Sequence, residues 1–350
     1  MSNIDENSTI KVLIYSEFLS DKPDEGIAKT AYNIYKAFKN LGIKTLAVCR
    51  EGGGNDIVVI PSNRLLLSYK LRNIIKGFKP TILLYIPKPG ATFYSFLRSK
   101  LLKLYDRKCK VVFFPLQHRV LSRFHKLLIK LFAKPDYVIS TSRYVVGLAK
   151  SLGLSTSQIC LGVDLNKFKP ISYEQKIRLR NRHGFSEKDY IVLHVGHLSK
   201  HRNLEVMAKL AKRGAKSIII ASSSSHKDLE LKEYLLKSGV MVFDHFIERI
   251  EEFYQLADCY VFPVQPGSES GISIPLSILE AMACNLKIVS TPFKDLPLFF
   301  KEEMGFFYAN PEHLVDKVLE VKDYRHVDTR RLIEKLRWET VCEQILKIVL

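Results

Sequence analysis

The chain has 350 residues, of which 47% are hydrophobic and 26% are charged, and its formal net charge is +18. This length predicts two domains, and the composition excludes disordered, collagen-like and coiled-coil proteins. The positive charge favours an anionic partner, namely nucleic acid, a nucleotide or a surface of lipid headgroups.

Short β-branched runs alternate with amphipathic stretches along the chain. We predict strands at residues 11–15, 45–48, 57–60, 82–86, 111–114 and 137–139, and a flexible loop at the three glycines 52–54. After a polar, strand-free stretch at 166–188 the pattern restarts, with strands at residues 191–195, 217–220, 240–242, 259–262, 287–289 and 305–307. This alternation predicts two doubly wound α/β domains with parallel strands. Because ligands bind beyond the carboxyl ends of such strands, we expect the chemistry in a cleft between the domains.

The basic residues are concentrated in one region. Residues 61–135 contain seventeen Lys or Arg and a single acid, Asp106, and so carry a net +16 of the chain's +18. Apolar residues recur among them at helical spacing, which predicts a basic amphipathic surface that attaches peripherally to an anionic membrane. The same apolar residues could instead be the inner faces of ordinary crossover helices.

Cysteine pairs, long apolar runs and metal-ligand clusters are all missing from the sequence, and this indicates the cellular compartment and the cofactors to expect. None of the six cysteines forms a Cys-x-x-Cys pair, which is typical of reduced thiols in a cytosolic protein. We expect neither a signal peptide nor a spanning helix, because no run of 18 apolar residues occurs. No His, Cys and Asp cluster has metal-ligand spacing, so we expect no metal site.

The most informative stretch is residues 257–263 (ADCYVFP) followed by residues 274–284 (IPLSILEAMAC). A strand, a loop and a helix that begins near residues 275–277 would direct backbone N–H groups towards a phosphate. Glu280, one turn into that helix, could accept hydrogen bonds from a ribose. On its own it could equally be a solvated helical glutamate.

These residues resemble the retaining glycosyltransferases of family 4 (glycosyl transferases group 1), whose GT-B fold has two Rossmann-like domains facing each other across a cleft. Three further motifs follow the family order: residues 161–170 (LGVDLNKFKP), residues 195–198 (VGHL) with 202–204 (RNL), and residues 332–341 around Trp338. The resemblance implies an acceptor-side domain at 1–165 and a donor-binding domain at 166–332. It also implies a terminal helix, at about 333–350, that packs back on the first domain.

The resemblance implies a donor site in the second domain, with these residues: Gly196, His197, Lys200, Arg202, Glu269, Ser277, Ile278 and Glu280. Glu280 matches the second Glu of the family's Glu, seven residues, Glu motif and would hold the ribose. The first Glu would fall at Ile272, so Glu269 is the candidate substitute. His197 and Arg202 occupy the places of the family's diphosphate-neutralising Arg and Lys, and Lys200 lies between them.

In the first domain the resemblance assigns Gly26 and Ile27 to an acceptor and phosphate loop. The family's loop has two glycines, and a lone glycine before a helix is also a common turn residue. His118, which we expect at the end of a buried strand, would contact the donor sugar; a single histidine there could also be structural. The predicted catalytic residues are therefore His118, Arg202 and Glu280.

The resemblance implies transfer of a sugar, with retention, from a UDP- or GDP-sugar to a hydroxyl acceptor, with no cofactor and no metal. A lipid-linked or glycan acceptor of the cell envelope, at the inner face of the membrane, fits the basic region. A nucleic-acid-binding protein and a catalytically idle nucleotide-binding protein remain the alternatives. No nucleic acid is expected, because no recognition module is present. A nicotinamide enzyme is disfavoured by the lack of Gly-x-Gly-x-x-Gly after either first strand.

Overall fold

The computed structural model describes residues 10–223, 227–268 and 271–350. The chain divides into two compact units. Unit 1 consists of Met1–Cys160 and Trp338–Leu350, and unit 2 is Leu161–Arg337. Each unit has a parallel sheet of its own with helices around it.

Unit 1 has a seven-stranded sheet in its described part, in the order β3-β2-β1-β4-β5-β6-β7. Its strands are β1 (Lys11–Ser20), β2 (Lys44–Gly53), β3 (Ile57–Val59), β4 (Ile82–Tyr85), β5 (Lys110–Phe113), β6 (Tyr137–Ser140) and β7 (Thr156–Gln158). Its first helices are α1 (Gly26–Asn40), α2 (Tyr69–Phe78), α3 (Phe93–Tyr105), α4 (Arg123–Phe132) and α5 (Arg143–Ser151). The central strand β1 begins with a nearly continuous apolar run that is buried on both faces, as a parallel sheet requires.

Unit 2 has a six-stranded sheet in its described part, in the order β10-β9-β8-β11-β12-β13. The strands are β8 (Ile191–Gly196), β9 (Lys216–Ala221), β10 (Met241–Phe243), β11 (Cys259–Phe262), β12 (Lys287–Ser290) and β13 (Phe306–Tyr308). The helices are α6 (Tyr173–Arg182), α7 (Glu205–Lys212), α8 (Leu229–Lys237), α9 (Ile250–Leu256), α10 (Leu276–Ala283), α11 (Leu296–Phe299) and α12 (Leu314–Glu320). The strand order reverses between β8 and β11, so the connections after these two strands diverge and leave a crevice at their carboxyl ends.

The chain ends in α13 (Trp338–Val349), which belongs to unit 1 and packs against α1. Trp338 and Cys342 are buried there. The side chain of Asn40, at the end of α1, donates to Glu339 over 3.0 Å. Across the described ranges, no helix combines the length and apolar character that spanning a membrane would require.

The prediction of two doubly wound α/β sheets is confirmed, and each predicted strand is present. The prediction missed β7, because its three residues, Thr-Ser-Gln, carry no apolar signal. The prediction of a flexible loop at residues 52–54 was wrong for Gly52 and Gly53, which belong to β2. Gly52 and Gly53 pair with Leu19 and Ser20 inside the sheet. A Cβ on Gly52 would lie 2.1 Å from the Leu19 carbonyl oxygen, so glycine is required there by a close approach of the two backbones.

Candidate functional site

The candidate site of unit 2 lies at the carboxyl ends of β8 and β11. After β8 the chain makes a 3₁₀ turn at Lys200–Arg202 and reaches Asn203 in the left-handed conformation, with φ of 54°. The Asn203 side chain donates to the Pro263 carbonyl over 3.2 Å. This bond ties the loop after β8 to the loop after β11 and fixes where the 3₁₀ turn presents Arg202.

Arg202 is 8% exposed, which is unusual for a guanidinium. Its Nη1 would lie 3.6 Å from a Cβ placed on Gly196, and its Nη2 would lie 3.5 Å from a Cβ placed on Gly271. Among the residues that the structure describes, none forms a hydrogen bond or an ion pair with this guanidinium. Burial lowers the pKa of Arg202 below its ordinary value. A buried cation with no acceptor among the described residues is suited to binding an anion.

His194, on β8, lies directly behind Gly196 and is fully buried. Its Nδ1 is 2.9 Å from the Val261 carbonyl, so Nδ1 carries the proton and Nε2 is left as an acceptor. A Cβ on Gly196 would lie 3.0 Å from that Nε2. Burial above all, and then the nearby Arg202, lowers the pKa of His194 to about 4. The imidazole is therefore neutral at physiological pH and adds no positive charge beside Arg202.

Helix α10 begins at the same edge of the sheet. Its first turn has no acidic residue, and Pro275 precedes it in an extended conformation. The Tyr260 hydroxyl donates to Ser277 Oγ over 2.7 Å and lies 3.3 Å from the Val195 carbonyl. Tyr260 thus links the start of α10 to the end of β8. The helix N-terminus contributes partial positive charge to the crevice that also holds Arg202.

Glu280 is on the inner side of α10 and is 4% exposed. The Tyr254 hydroxyl, from α9, donates to its Oε2 over 2.9 Å. Burial, and then the charge of Glu280, raises the pKa of Tyr254 well above its ordinary value, so this phenol stays a donor. Tyr254 also stacks on Tyr260 with the ring centroids 6.0 Å apart. Glu280 is therefore not a solvated helical glutamate, because its side chain is buried and the Tyr254 hydroxyl holds it in place.

Three other predicted donor residues of unit 2, His197, Lys200 and Ile278, have different surroundings. His197 is half-buried directly after β8. Lys200 is 61% exposed, and its ammonium pairs with Glu230 at 3.0 Å and Asp228 at 3.9 Å. Its charge is therefore engaged by acids at the start of α8. Ile278 is part of the buried side of α10, so only its backbone can reach a ligand.

Ile272, where the family's first Glu would fall, is 8% exposed and apolar. Glu269, the candidate substitute, lies outside the described residues. Ser273, next to Ile272, is fully buried, and its hydroxyl has no hydrogen-bond partner within the described ranges. No group of three or more His, Cys, Asp or Glu suited to a metal ion occurs in the part of the chain that the structure describes.

In unit 1, Gly26 is the first residue of α1 and follows the carboxyl end of β1 closely. Its carbonyl accepts from Thr30 Oγ1 over 2.8 Å, as expected for the first helical turn. Ile27 is buried and contributes to the core. The first turn of α1 has no acidic residue, but its N-cap is Glu25 and Asp24 precedes it, so two carboxylates flank the backbone N–H groups that an anion would need.

His118 does not end a strand, in contrast to the expectation. Strand β5 ends at Phe113, and His118 lies five residues further on in a loop. The apolar run continues through residues 114–116 because the loop is buried there, and this lengthened the apparent strand. The His118 ring is half-buried and lies 5.2 Å from the ring of Tyr144 at the start of α5. It remains at the carboxyl edge of the sheet, which is where a functional histidine would be needed.

The sequence analysis missed a buried carboxylate on β1. Glu17 is 5% exposed and accepts from the Tyr85 hydroxyl and from the Lys88 backbone N–H. Arg98 forms an ion pair with it at 3.0 Å and also donates to the Arg64 carbonyl. No local pattern signals this cluster, because its members are as many as 81 residues apart in the chain. Its groups satisfy one another, so we assign it the role of fixing the loops after β3 and β4 against β1.

Residues 189–323 match the sequence model of the family described as Glycosyl transferases group 1. The resemblance to this family is thus confirmed. The chain is 28% identical over 152 residues to putative glycosyltransferase EpsD of Bacillus subtilis, covering 41% of this chain and 39% of that protein. It is 30% identical over 183 residues to sulfoquinovosyl transferase SQD2 of Arabidopsis thaliana, and the match covers 50% of this chain and 34% of that protein. It is 25% identical over 179 residues to alpha-galactosylglucosyldiacylglycerol synthase of Streptococcus pneumoniae, and the match covers 44% of this chain and 46% of that protein. The chain spans less than half the length of each of these relatives.

Solved structures with the same fold cover nearly the whole chain. A glycosyltransferase from Rickettsia africae has a TM-score of 0.76 at 14% identity, over 97% of this chain and 98% of its own. HepE of Anabaena, solved in complex with UDP, has a TM-score of 0.75 at 14% identity, over 97% and 99%. At this level of identity the likeness shows the fold, and it confirms the prediction of the GT-B class.

Proposed function

We propose that this protein is a retaining glycosyltransferase that moves a sugar from a nucleotide-activated donor to a hydroxyl acceptor. The observation that carries the proposal is Arg202, a buried guanidinium that has no acceptor within the described part of the chain and lies near the start of α10. A diphosphate supplies both the charge and the oxygen atoms that this guanidinium lacks. The match of residues 189–323 to the glycosyl transferases group 1 supports the same reading.

In the proposed reaction the diphosphate is the leaving group. Arg202 and the N-terminus of α10 stabilise the negative charge that develops on it as the glycosidic bond breaks. Glu280, held by Tyr254, accepts hydrogen bonds from the ribose. The acceptor hydroxyl then attacks from the face that the diphosphate leaves, and its proton passes to the departing phosphate. We propose that His118 contacts the sugar and that Gly26 and Ile27 serve the acceptor.

For the donor we propose a UDP-sugar, with a GDP-sugar as the alternative, and no metal ion or other cofactor. The structure of HepE with UDP supports this choice of base, since the two proteins share their fold. For the acceptor we propose a lipid-linked or glycan precursor of the cell envelope. The name of the synthase from Streptococcus pneumoniae specifies a diacylglycerol glycolipid, which supports a lipid acceptor. Six free thiols and the basic residues 61–135 support a site at the inner face of the membrane.

Calorimetric titration with UDP, GDP, ADP, their sugars, NAD and a short oligonucleotide tests the proposal. We expect saturable binding of one nucleoside diphosphate and its sugar, and transfer activity with that sugar. Binding of the oligonucleotide alone would overturn the proposal in favour of a nucleic-acid-binding protein. Binding of a nucleotide-sugar with no turnover on a panel of glycolipid and glycan acceptors would favour an idle nucleotide-binding protein.

A further inference from the structure

The outward face of α4 is apolar although it does not contribute to the core. Within this helix only Ile129 is buried. Phe124 is 65% exposed, Leu127 53% and Leu131 59%. All three are large apolar side chains, and leaving them in water is unfavourable; Phe132, at the end of the helix, is 66% exposed as well. The three form what we call the α4 stripe.

Helical geometry places the α4 stripe away from the core. At about 100° per residue, Phe124, Leu127 and Leu131 fall within an arc of about 60°. Ile129 points to roughly the opposite side, at about 140° or more from each of them. A surface helix ordinarily has one apolar face, directed at its own domain. A second apolar face, directed outwards, indicates an apolar partner outside the fold.

Two residues near α4 are also apolar and exposed, and a ring contact fixes the position of the helix. Tyr94, at the start of α3, is 59% exposed, and Val120, just before α4, is 73% exposed. The Phe93 ring stacks on the His125 ring with the centroids 5.0 Å apart, which holds the start of α3 against α4. The Ser122 side chain caps α4 by accepting from the His125 backbone N–H. The patch is therefore carried by a capped helix that is anchored to its neighbour.

The charges around the stripe define the partner's chemistry. Arg123 and Lys130 are exposed beside the stripe, Lys126 is half-buried further round the helix, and no acidic residue occurs between residues 107 and 135. A row of cations beside an apolar stripe matches an anionic bilayer surface, where the cations reach the phosphates and the apolar side chains enter the acyl boundary. In a symmetric pair of chains joined through α4, the same cations would face each other and repel.

We infer that α4 is the element that attaches this protein to anionic membranes, lying in the bilayer plane with the α4 stripe inserted. This inference rests on the proposed membrane attachment and specifies how it is made. It narrows the contact, within residues 61–135, to α4. Leu71 and Ile75 of α2, and Phe96 and Leu102 of α3, are buried in the core of unit 1.

Flotation with phosphatidylcholine vesicles, with and without phosphatidylglycerol, tests the inference on the full chain. We expect binding only with phosphatidylglycerol, weakened by salt. The triple variant Phe124→Gln, Leu127→Gln, Leu131→Gln should bind at least about tenfold more weakly. The matched control is Leu229→Gln, Tyr234→Gln, Leu236→Gln on α8, which removes three exposed apolar side chains from unit 2 and should bind like the wild type.

Insertion can be read directly through Phe124→Trp. The chain has one tryptophan, Trp338, which is 5% exposed and gives a constant background. On anionic vesicles the new fluorophore should shift to shorter wavelength and be quenched by brominated lipid, whereas Leu229→Trp should do neither. Equal binding of wild type and triple variant, or an unshifted Phe124→Trp spectrum, would contradict the role of α4 while leaving membrane attachment in place.

Two further results separate this inference from the proposed function. If the wild-type protein binds neither kind of vesicle, both the membrane attachment and the role of α4 are overturned. Its UDP titration would still report on the donor site. A triple variant that changes the protein from dimer to monomer in light scattering, with no lipid binding by either form, would identify a second copy as the partner of α4 and overturn the inference.

Discussion

Arg202 and Arg180 are both buried arginines of unit 2 with opposite surroundings. Arg180 is 4% exposed, and its Nη2 pairs with Asp258 at 2.6 Å. It also donates to the carbonyls of Leu256, Glu187 and Asp189. Arg202 has no such partners in the described ranges. A paired buried arginine stabilises the fold, whereas an unpaired one stabilises it little and is retained for another reason.

This contrast gives the first prediction. In Arg202→Met, UDP affinity should fall at least about tenfold, since one charge-assisted contact contributes about 1.5–3 kcal/mol. Its free energy of unfolding should be unchanged or higher, because the variant removes a buried charge that no described residue pairs with. The control Arg180→Met should show the opposite. Its free energy of unfolding should fall by about 3–5 kcal/mol, and the UDP affinity of the folded protein should not change. Calorimetry and urea unfolding measure both quantities. Loss of stability in Arg202→Met with normal UDP affinity would show that Arg202 is structural.

The second prediction concerns Glu280. In Glu280→Gln the amide oxygen can still accept from Tyr254, so the fold should be retained, while the charged acceptor proposed for the ribose is lost. UDP affinity should fall about tenfold, and the affinity for inorganic pyrophosphate should not change. Glu230→Gln, at an 86% exposed carboxylate on α8, is the matched control and should leave both affinities unaltered. An equal fall in both affinities would place Glu280 on the diphosphate instead of the ribose.

The third prediction follows from His194, whose pKa is lowered from 6.5 to about 4. Between these values the unfolded chain holds a proton that the folded chain lacks, so the free energy of unfolding decreases as the pH falls. His194 alone should reduce it by about 2 kcal/mol between pH 7 and pH 5. His194→Phe should lose this part of the pH dependence, whatever its effect at pH 7. Identical slopes for the two proteins in urea unfolding at several pH values would contradict a neutral buried His194.

At the residue scale, the sequence indicated the residue types of the site but not their environment. Glu280 and Arg202 could be named because they belong to a local motif and its spacing. Tyr254, Tyr260 and His194, which hold or flank them, could not, since each acts through a contact between different strands and helices. Glu17 escaped for the same reason: its partners Tyr85 and Arg98 come from distant parts of the chain.

At the scale of elements, strands were predicted well because both faces of a parallel sheet are buried and read as apolar runs. The same rule failed where a buried apolar segment is not a strand, as in the buried loop before His118. After α10 the chain passes through a left-handed position at Asn285, with φ of 60°, as is common at the end of a helix. Asn285 also donates to the Val327 carbonyl over 3.1 Å, which explains why asparagine serves there as well as glycine.

The basic helices show what periodicity cannot decide. Helices α2, α3 and α4 all mix Lys or Arg with apolar residues in the sequence. In α2 and α3 the central apolar residues face the core, and Lys103 of α3 pairs with Asp136 at 2.8 Å. In α4 the outward side is apolar as well. The helical period fixes which residues share a face, but the packing of the sheet decides which face is turned outwards.

For the whole molecule, net charge and ligand charge are separate matters. The strongly basic segment, residues 61–135, belongs to unit 1, whereas the group assigned to the diphosphate is a single buried arginine of unit 2. In a site of low dielectric one fixed cation with a helix terminus interacts more strongly with an anion than many solvated lysines do. The surface charge is screened by salt, so it suits reversible attachment to a membrane.

The last prediction joins these parts. If Arg202 and the N-terminus of α10 stabilise the leaving diphosphate, a divalent ion is not needed for that role. Transfer should then survive excess EDTA with at least about half of its rate, which corresponds to a barrier raised by no more than about 0.4 kcal/mol. The measurement is initial rate with and without EDTA, with magnesium added back. In Arg202→Met, by contrast, added magnesium should restore part of the lost rate, since the ion can then take the place of the missing cation. Complete, magnesium-reversible loss of wild-type activity in EDTA would mean that the diphosphate is neutralised by a metal and not by Arg202.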